Sequence, residues 1–168
     1  AVHRAHASVH ALPLMMRDRA AGFLLEKELK ALGRVVNNPE KPFVAILGGA
    51  KVSDKIEVVE SLLAKCDVLC IGGAMANTFL AAQGLDMQKS LVEADKLPLA
   101  RTIMEKARDK KVKLILPVDL VVADGIDATA GETVETTAVP AGKMALDVGP
   151  KTVALVEKEL VRAQTVLW

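Results

Sequence analysis

Residues 43–55 read FVAILGGAKVSDK and join an apolar, strand-like run to a helical pattern through a pair of glycines. The run Phe43–Leu47 is typical of a short buried strand, and helical periodicity begins at Ile56. Gly48 and Gly49 allow backbone angles and close approaches that other residues resist. This order predicts a β-α unit whose helix start attracts an anion through its unpaired N–H groups.

Two lysines, Lys51 and Lys55, stand at this predicted helix start. Cations there oppose the helix dipole by about 0.3 to 1 kcal/mol each when they are exposed. Asp54, with Glu57 three residues later, could cap the helix and offset part of that cost. A bound phosphate would offset more. Two interpretations therefore stay open at this point: a phosphate site, or an exposed loop with ordinary surface lysines.

The chain from Phe43 onward alternates short β-branched runs with longer helical patterns, which is typical of a parallel sheet built from β-α-β units. Right-handed crossovers would place helices on both faces, so we predict a doubly wound, Rossmann-like α/β fold. The predicted strands lie near 43–47, 67–71, 112–116 and 164–168. The predicted helices lie near 54–65, 75–84, 93–110 and 150–162. In the segment 117–149, one more strand near 118–122 precedes a loop or an irregular hairpin.

The first 40 residues lack this rhythm. Residues 1–20 show no β-α pattern, whereas residues 21–32 predict an amphipathic helix that ends at Gly33 and is followed by a turn at 38–42. Such a helix suits a connector that packs on one side only. The chain begins without methionine and stops at Trp168 inside an apolar run, so we expect a piece of a longer protein.

The charge balance gives no general reason to expect binding to nucleic acid or to an anionic membrane. The chain has 22 basic and 21 acidic side chains, and its aromatic content of 2 % is low for base-stacking platforms. No apolar run approaches the roughly 18 residues that a membrane-spanning helix needs. These features are typical of a soluble intracellular protein. We expect Cys66 and Cys70 to be reduced core residues rather than a disulfide or a metal site.

Ordered blocks that cover nearly the entire chain resemble phosphoglycerate kinases. They are HRAHAS at 3–8, AGFLLEKEL at 21–29, KPFVAILGGAKVSDKI at 41–56, IGGAMA with TFL at 71–80, LPVD at 116–119 and LDVGP at 146–150. A single Gly-Gly pair would be weak evidence, but these blocks follow that family's order at near its spacing. The resemblance implies a two-domain glycolytic kinase that transfers a phosphoryl group reversibly from 1,3-bisphosphoglycerate to ADP, giving 3-phosphoglycerate and ATP.

The resemblance also implies how the chain divides. Residues 1–20 would end the N-terminal, substrate-binding domain, residues 21–40 would form the interdomain helix and linker, and residues 41–168 would begin the C-terminal, nucleotide-binding domain. The parent would be a cytoplasmic monomer that binds ATP or ADP with Mg²⁺, and no metal ligand is identified in this chain. The isolated chain, an incomplete copy of the kinase, is expected to be inactive. The alternative is a non-catalytic nucleotide-binding or scaffolding module of the same fold.

The resemblance assigns roles to the residues of the first glycine loop. Lys55 would contact the nucleotide phosphates, and Lys51 would stabilise the transferring phosphoryl group. The backbone of Gly48, Gly49 and Ala50 would approach the nucleotide closely. Positioned cations suit this chemistry, because in-line phosphoryl transfer needs neutralisation of charge on the moving group.

A second set of residues would bind the adenine base by the same resemblance. Gly72 and Gly73 begin a second helix-entry loop that would form part of the adenine pocket, as would Leu146 with Ala145 beside it. Ala74 and Ala145 stand where the family commonly has glycine. Each additional methyl group would narrow the purine slot or be absorbed by a small backbone shift.

The resemblance implies one substrate-binding residue near the start of the chain. Arg4 would help to hold the acidic substrate, since a forked guanidinium suits phosphate or carboxylate, although a solvated surface arginine fits the same position. His3, His6 and His10 are spaced so that a helix could aim two of them at a metal ion. No acidic or cysteine ligand stands near them, which favours a structural or electrostatic role.

Overall fold

The computed structural model describes residues 5–168, so the predictions for Arg4 and His3 lie outside the described residues. The chain forms two compact units that divide between Asn38 and Pro39. In the part of the chain that is described, no helix is long and apolar enough to cross a membrane.

The first unit holds two helices, α1 (Ala11–Met15) and α2 (Phe23–Asn37). The prediction that α2 ends at Gly33 is wrong, since the helix continues for another turn. An isolated glycine costs a helix only about 1 kcal/mol relative to alanine, whereas an interior proline costs about 3 kcal/mol. The Asn38 N–H closes α2 by donating to the Arg34 carbonyl (2.9 Å), and a proline follows.

The second unit alternates strands and helices along most of its length. In chain order its elements are β1 (Phe43–Leu47), a 3-10 turn (Ser53–Lys55), α3 (Ile56–Leu63), β2 (Val68–Ile71), α4 (Gly73–Ala82), a 3-10 turn (Ala94–Lys96), α5 (Leu97–Asp109), β3 (Lys113–Ile115), β4 (Asp119–Ala123), β5 (Glu132–Glu135), β6 (Met144–Val148), α6 (Pro150–Leu160) and β7 (Thr165–Leu167). The predicted strands and helices are all present, because the helices repeat every 3.6 residues and the buried strands are short apolar runs bounded by turn residues.

Four of these strands form a parallel sheet in the order β3-β2-β1-β7. One face of the sheet packs against α6 through a cluster of Val44, Val68, Cys70 and Ile115. Side chains alternate along a strand, so the fully buried Phe43 and Leu69 point to the opposite face, which the right-handed crossovers through α3 and α5 cover. The predicted doubly wound α/β fold is confirmed.

Both cysteines are buried in this second unit, and neither forms a disulfide. The prediction of reduced core residues is therefore confirmed. Burial raises the pKa of Cys66 and that of Cys70 to about 11. Both thiols are therefore almost entirely protonated at neutral pH, and a protonated thiol is a poor nucleophile.

An antiparallel sheet in the order β5-β4-β6 occupies the segment for which one strand and an irregular hairpin were predicted. The predicted strand is β4, and two further strands flank it. β5 is mostly exposed and polar, so no alternation of apolar residues marks it in the sequence. Leu120 and Val122 of β4 pack with Leu80 of α4 in a core that is separate from the α6 cluster.

Candidate functional site

The loop at residues 48–51 leaves the carboxyl end of β1 in the interior of the parallel sheet. β2 lies on one side of β1 and β7 on the other, so the chain connections leave this point in opposite directions. In open α/β sheets such a switch point opens a crevice in which ligands bind. Gly48, Gly49, Ala50 and Lys51 are all exposed there. The loop therefore lies where this class of fold binds ligands.

The two glycine loops lie against each other. The Gly72 N–H donates to the Leu47 carbonyl, and the Met75 N–H donates to the Gly49 carbonyl, both at 2.9 Å. Gly73 has φ +66°, and a Cβ there would lie 2.9 Å from the backbone nitrogen and oxygen of Gly49. Only glycine satisfies both the left-handed backbone and this close approach. The contact joins the start of α4 to the loop after β1.

The two lysines of the first loop lie in different local structures. Lys55 is half-buried at the end of the 3-10 turn, and a Cβ on Gly49 would lie 4.0 Å from its Cε atom. Lys51 is exposed in the loop itself. Among the described residues, neither ammonium group takes part in an ion pair. Both positive charges are therefore available to an anion beside Gly49.

The prediction that Asp54 caps the helix after the first glycine loop is wrong, because no side chain of that turn caps it. The carboxylate that binds the backbone there belongs to Glu93. Oε2 of Glu93 accepts hydrogen bonds from the N–H groups of Val52 (2.5 Å) and Ser53 (3.2 Å). Its Oε1 accepts a hydrogen bond from the Ser53 hydroxyl (2.6 Å). The helix start is thus bonded to an internal carboxylate. An anion at this loop has to approach from the side of the glycines and the lysines.

Glu93 is ionised under ordinary conditions. Its burial acts to raise the pKa of the carboxyl group, but the hydrogen bonds from the Ser53 hydroxyl and from the Ser53 and Val52 amides outweigh that effect and leave the pKa below its usual value. The Glu93 N–H in turn donates to the hydroxyl of Thr78, a fully buried residue of α4 (3.1 Å). Sequence reasoning missed Glu93, because 40 residues separate it from its partner Ser53.

A cleft of about 150 Å³ opens between the start of α4 and β6. Gly73, Ala145 and Leu146, three of the predicted adenine residues, line it together with Ala74. Gly72 does not line this cleft and instead borders an apolar cavity of about 240 Å³ beside α6. Typical complete ligand pockets have about 300 to 1,000 Å³, so the cleft suits a group the size of a base.

Several residues that sequence reasoning missed also line the cleft, among them Asn77 and Leu91. Asn77 follows Ala74 by three residues on α4, and that helical spacing could have indicated it. Asn77 is buried, with only 3 % of its surface exposed. The hydroxyl of Ser90, the residue before Leu91, accepts a hydrogen bond from the Ala145 N–H (2.8 Å). This bond ties the segment before Glu93 to the wall of the cleft.

A second internal carboxylate, Asp119, holds the chain that follows the cleft. It is buried on β4, and it accepts hydrogen bonds from the N–H of Lys151 (2.9 Å), from the N–H of Thr152 (2.8 Å) and from the Thr152 hydroxyl (2.6 Å). A Cβ on Gly149 would overlap the Asp119 carboxyl group. Burial acts to raise the pKa of Asp119, but the Thr152 and Lys151 hydrogen bonds hold it below its usual value. The LPVD and LDVGP blocks thus meet at the start of α6.

The described histidines do not form a metal site. The Nδ1 atom of His6 lies 2.9 Å from the Ser8 hydroxyl oxygen in a local hydrogen bond. Residues 5–168 contain no group of three or more His, Cys, Asp or Glu side chains that could hold a metal ion.

Comparison with known proteins identifies relatives along the whole chain. The family model for phosphoglycerate kinase matches residues 1–168. The chain is 54 % identical over 168 residues to phosphoglycerate kinase of Koribacter versatilis and 53 % identical over 167 residues to that of an Anaeromyxobacter species. Each alignment covers 99 % of this chain and 42 % of the relative. The chain therefore spans about two fifths of the length of these curated relatives.

Solved structures give the same match. The structure of phosphoglycerate kinase from Coxiella burnetii superposes with a TM-score of 0.84 and 46 % identity, over 88 % of this chain and 38 % of that one. The phosphoglycerate kinase of Pyrococcus horikoshii superposes with a TM-score of 0.63 and 25 % identity, over 86 % of this chain and 38 % of that one.

Proposed function

The chain belongs to the phosphoglycerate kinase family, and from this membership we propose that it supplies part of an enzyme that transfers a phosphoryl group reversibly between 1,3-bisphosphoglycerate and ADP. The products in that direction are 3-phosphoglycerate and ATP. The chain spans 42 % of its relatives, so we expect the isolated 168 residues to bind nucleotide weakly and to show no turnover.

The observation that carries the proposal is the contact between the two glycine loops. It brings the exposed loop that carries Lys51, with the half-buried Lys55 just after it, next to a cleft the size of a base. Neither lysine forms an ion pair among the described residues. A nucleotide combines a flat apolar base with a polyanionic tail, so it needs these two environments side by side. A generic anion would need only the loop.

Each loop residue then has a role in the transfer. Lys55, beside Gly49, binds the phosphates of the nucleotide. Lys51 stabilises the negative charge on the transferring phosphoryl group. Gly48 and Gly49 have no side chain and Ala50 has only a methyl group, so the backbone can approach those phosphates closely. The enzyme contributes positioning and charge neutralisation, because phosphoryl transfer needs little covalent chemistry from the protein.

The cleft binds the adenine base in this proposal. Gly73 and Leu146 provide apolar contact with the base, and Ala145 forms the adjoining wall. Gly72 acts indirectly, since its N–H holds the second loop to Leu47. The methyl groups of Ala74 and Ala145 border the cleft, and their effect on nucleotide affinity stays a prediction.

Family membership supplies the remaining parts of the proposal. Residues 1–20 would end the substrate-binding domain, with Arg4 on the acidic substrate, residues 21–40 would link the domains, and residues 41–168 would begin the nucleotide-binding domain. Mg²⁺ would arrive on the nucleotide phosphates and reduce their charge, and the described residues offer no carboxylate cluster to hold it. We place the parent enzyme in the cytoplasm as a monomer without nucleic-acid or membrane partners.

A chimera tests the function directly. The chain replaces the matching segment of the Koribacter versatilis relative, and ATP formation from 1,3-bisphosphoglycerate is followed in a coupled assay. We expect turnover by the chimera and a drop of about 10² to 10³-fold in the Lys51→Ala chimera, the size of effect seen when one stabilising group for transition-state charge is removed. A folded chimera that binds ATP but gives no product would instead support a non-catalytic nucleotide-binding module.

A further inference from the structure

The Glu93 carboxylate holds the backbone that directly follows Lys51. Val52 follows Lys51 directly, and both its N–H and that of Ser53 end on Oε2 of Glu93 at 2.5 Å and 3.2 Å. The Val52 side chain is fully buried, so the residue after Lys51 is fixed by packing as well as by the hydrogen bond. The backbone that follows Lys51 is therefore restrained, and the Gly49 carbonyl on the other side of Lys51 accepts its own hydrogen bond from the Met75 N–H.

Glu93 is itself restrained from two directions. Its N–H donates to the buried Thr78 hydroxyl at 3.1 Å, which ties it to α4. Three residues earlier, the Ser90 hydroxyl accepts from the Ala145 N–H at 2.8 Å, and Leu91 lines the cleft. The short segment 90–93 thus runs from the wall of the cleft to the backbone that follows Lys51.

A carboxylate is well suited to this position for two reasons. It can accept several hydrogen bonds at once, and bonds to an ionised acceptor are about twice as strong as neutral ones. It also satisfies N–H groups at the helix start that would otherwise attract a phosphate. A phosphate drawn to those N–H groups would lie beyond Lys51 rather than beside the glycines.

From this geometry we propose that Glu93 is a positioning residue for phosphoryl transfer: it fixes the backbone after Lys51 so that the lysine ammonium meets the terminal phosphate of ATP. The inference rests on the proposed nucleotide function and adds a residue to it. Glu93 does not touch the nucleotide in this arrangement, and its whole effect passes through Val52 and Ser53 to Lys51.

The test is a double-mutant cycle on the 168-residue chain, with MgATP and MgADP as probes. The ratio of the two dissociation constants isolates the terminal phosphate, which only ATP carries. We expect Lys51→Ala to reduce the preference for ATP about 10-fold, since it removes a charge-assisted hydrogen bond to the terminal phosphate. Glu93→Ala should reduce it about 3 to 10-fold, and the double variant should lose no more than Lys51→Ala alone.

Milder variants and a matched control keep the result interpretable. Glu93→Gln retains an acceptor of the same shape and should recover part of the preference, and Ser53→Ala removes only the hydroxyl contact. Glu57→Ala removes an exposed carboxylate of the neighbouring helix α3 and should leave the ratio unchanged. Circular dichroism spectra and thermal midpoints confirm that each variant is folded.

The outcomes separate the inference from the proposal beneath it. Suppose that Lys51→Ala lowers the preference for ATP. If Glu93→Ala then has no effect, or if the two effects add fully in the double variant, the positioning role is overturned and the nucleotide site stays in place. If neither the unmodified chain nor the Koribacter versatilis chimera binds either nucleotide, the nucleotide proposal fails and the role of Glu93 fails with it.

Discussion

Gly73 lies against the backbone of Gly49 so closely that a Cβ on Gly73 would be 2.9 Å from the Gly49 nitrogen and oxygen. The two residues are 24 positions apart in the sequence numbering and belong to loops that follow different strands. Their contact joins the loop after β1, which carries Lys51, to the start of α4, which lines the cleft. Several consequences of this and neighbouring contacts can be measured.

Gly73→Ala should destabilise the fold, because the new methyl group meets the Gly49 backbone and the left-handed φ of +66° disfavours a side chain. A strained residue of this kind costs on the order of 1 to 3 kcal/mol. Urea denaturation of the chain measures the change in the free energy of unfolding. Gly125→Ala is the matched control, because a Cβ there meets nothing within 4 Å. Equal stability of the two variants would contradict the close approach.

Lys55→Ala should weaken ADP binding to the chain and leave adenosine binding unchanged, because the proposed site places the lysine at the phosphates rather than at the base. We expect a loss of about 10-fold in ADP affinity, the lower end of what a hydrogen bond to a charged group contributes. Isothermal titration calorimetry with both ligands provides the measurement. Lys158→Ala removes an exposed lysine of α6 and should change neither affinity. A parallel loss for adenosine would place Lys55 at the base instead.

Asp119→Asn should lower stability most at neutral pH. The pKa of Asp119 is held below its usual value in the folded chain, so its ionised form stabilises the fold above about pH 4, the unfolded pKa. That contribution is lost as the pH falls through the still lower folded pKa. Urea denaturation of the chain and the variant should differ by about 1 to 3 kcal/mol at pH 7, and less as the pH approaches 3.

The exposed Asp54 offers the comparison for this experiment. Asp54→Asn makes the same chemical change at a carboxylate that does not cap the helix. It should alter the free energy of unfolding by less than about 0.5 kcal/mol at either pH. A difference for Asp119→Asn that is the same at both pH values would argue against ionisation as its cause.

Both cysteines should resist a thiol reagent in the folded chain. Cys66 and Cys70 are buried, and burial raises the pKa of each to about 11. The reagent therefore cannot easily reach the sulfur atoms, and only a small fraction of each thiol is ionised. Labelling of the folded chain with Ellman's reagent at pH 7.5 should therefore proceed only as fast as the structure opens. In guanidinium chloride both thiols should react at once. Rapid labelling of the folded chain would show that the parallel sheet is accessible.

Most strands and helices of the second unit could be predicted because each has a short-range signal. FVAIL is a short apolar run of the kind that forms a buried strand, and the helix from Ile56 has apolar residues every three to four positions. Some local features were not predicted because their signals in the sequence are weak. Gly33 interrupts α2 too weakly to end it, and the polar, exposed β5 has no apolar face to reveal it.

By itself the sequence determined the parallel α/β architecture, the buried reduced cysteines and the glycine loop with its two lysines, since local periodicity and residue chemistry suffice for those. The tertiary structure alone decided that Glu93 rather than Asp54 serves the helix start, that Asp119 holds the start of α6, and that Gly73 meets Gly49. Each of these contacts joins residues that are 24 to 41 positions apart. Only the packing of strands and helices brings such pairs together, because no periodicity relates them along the chain.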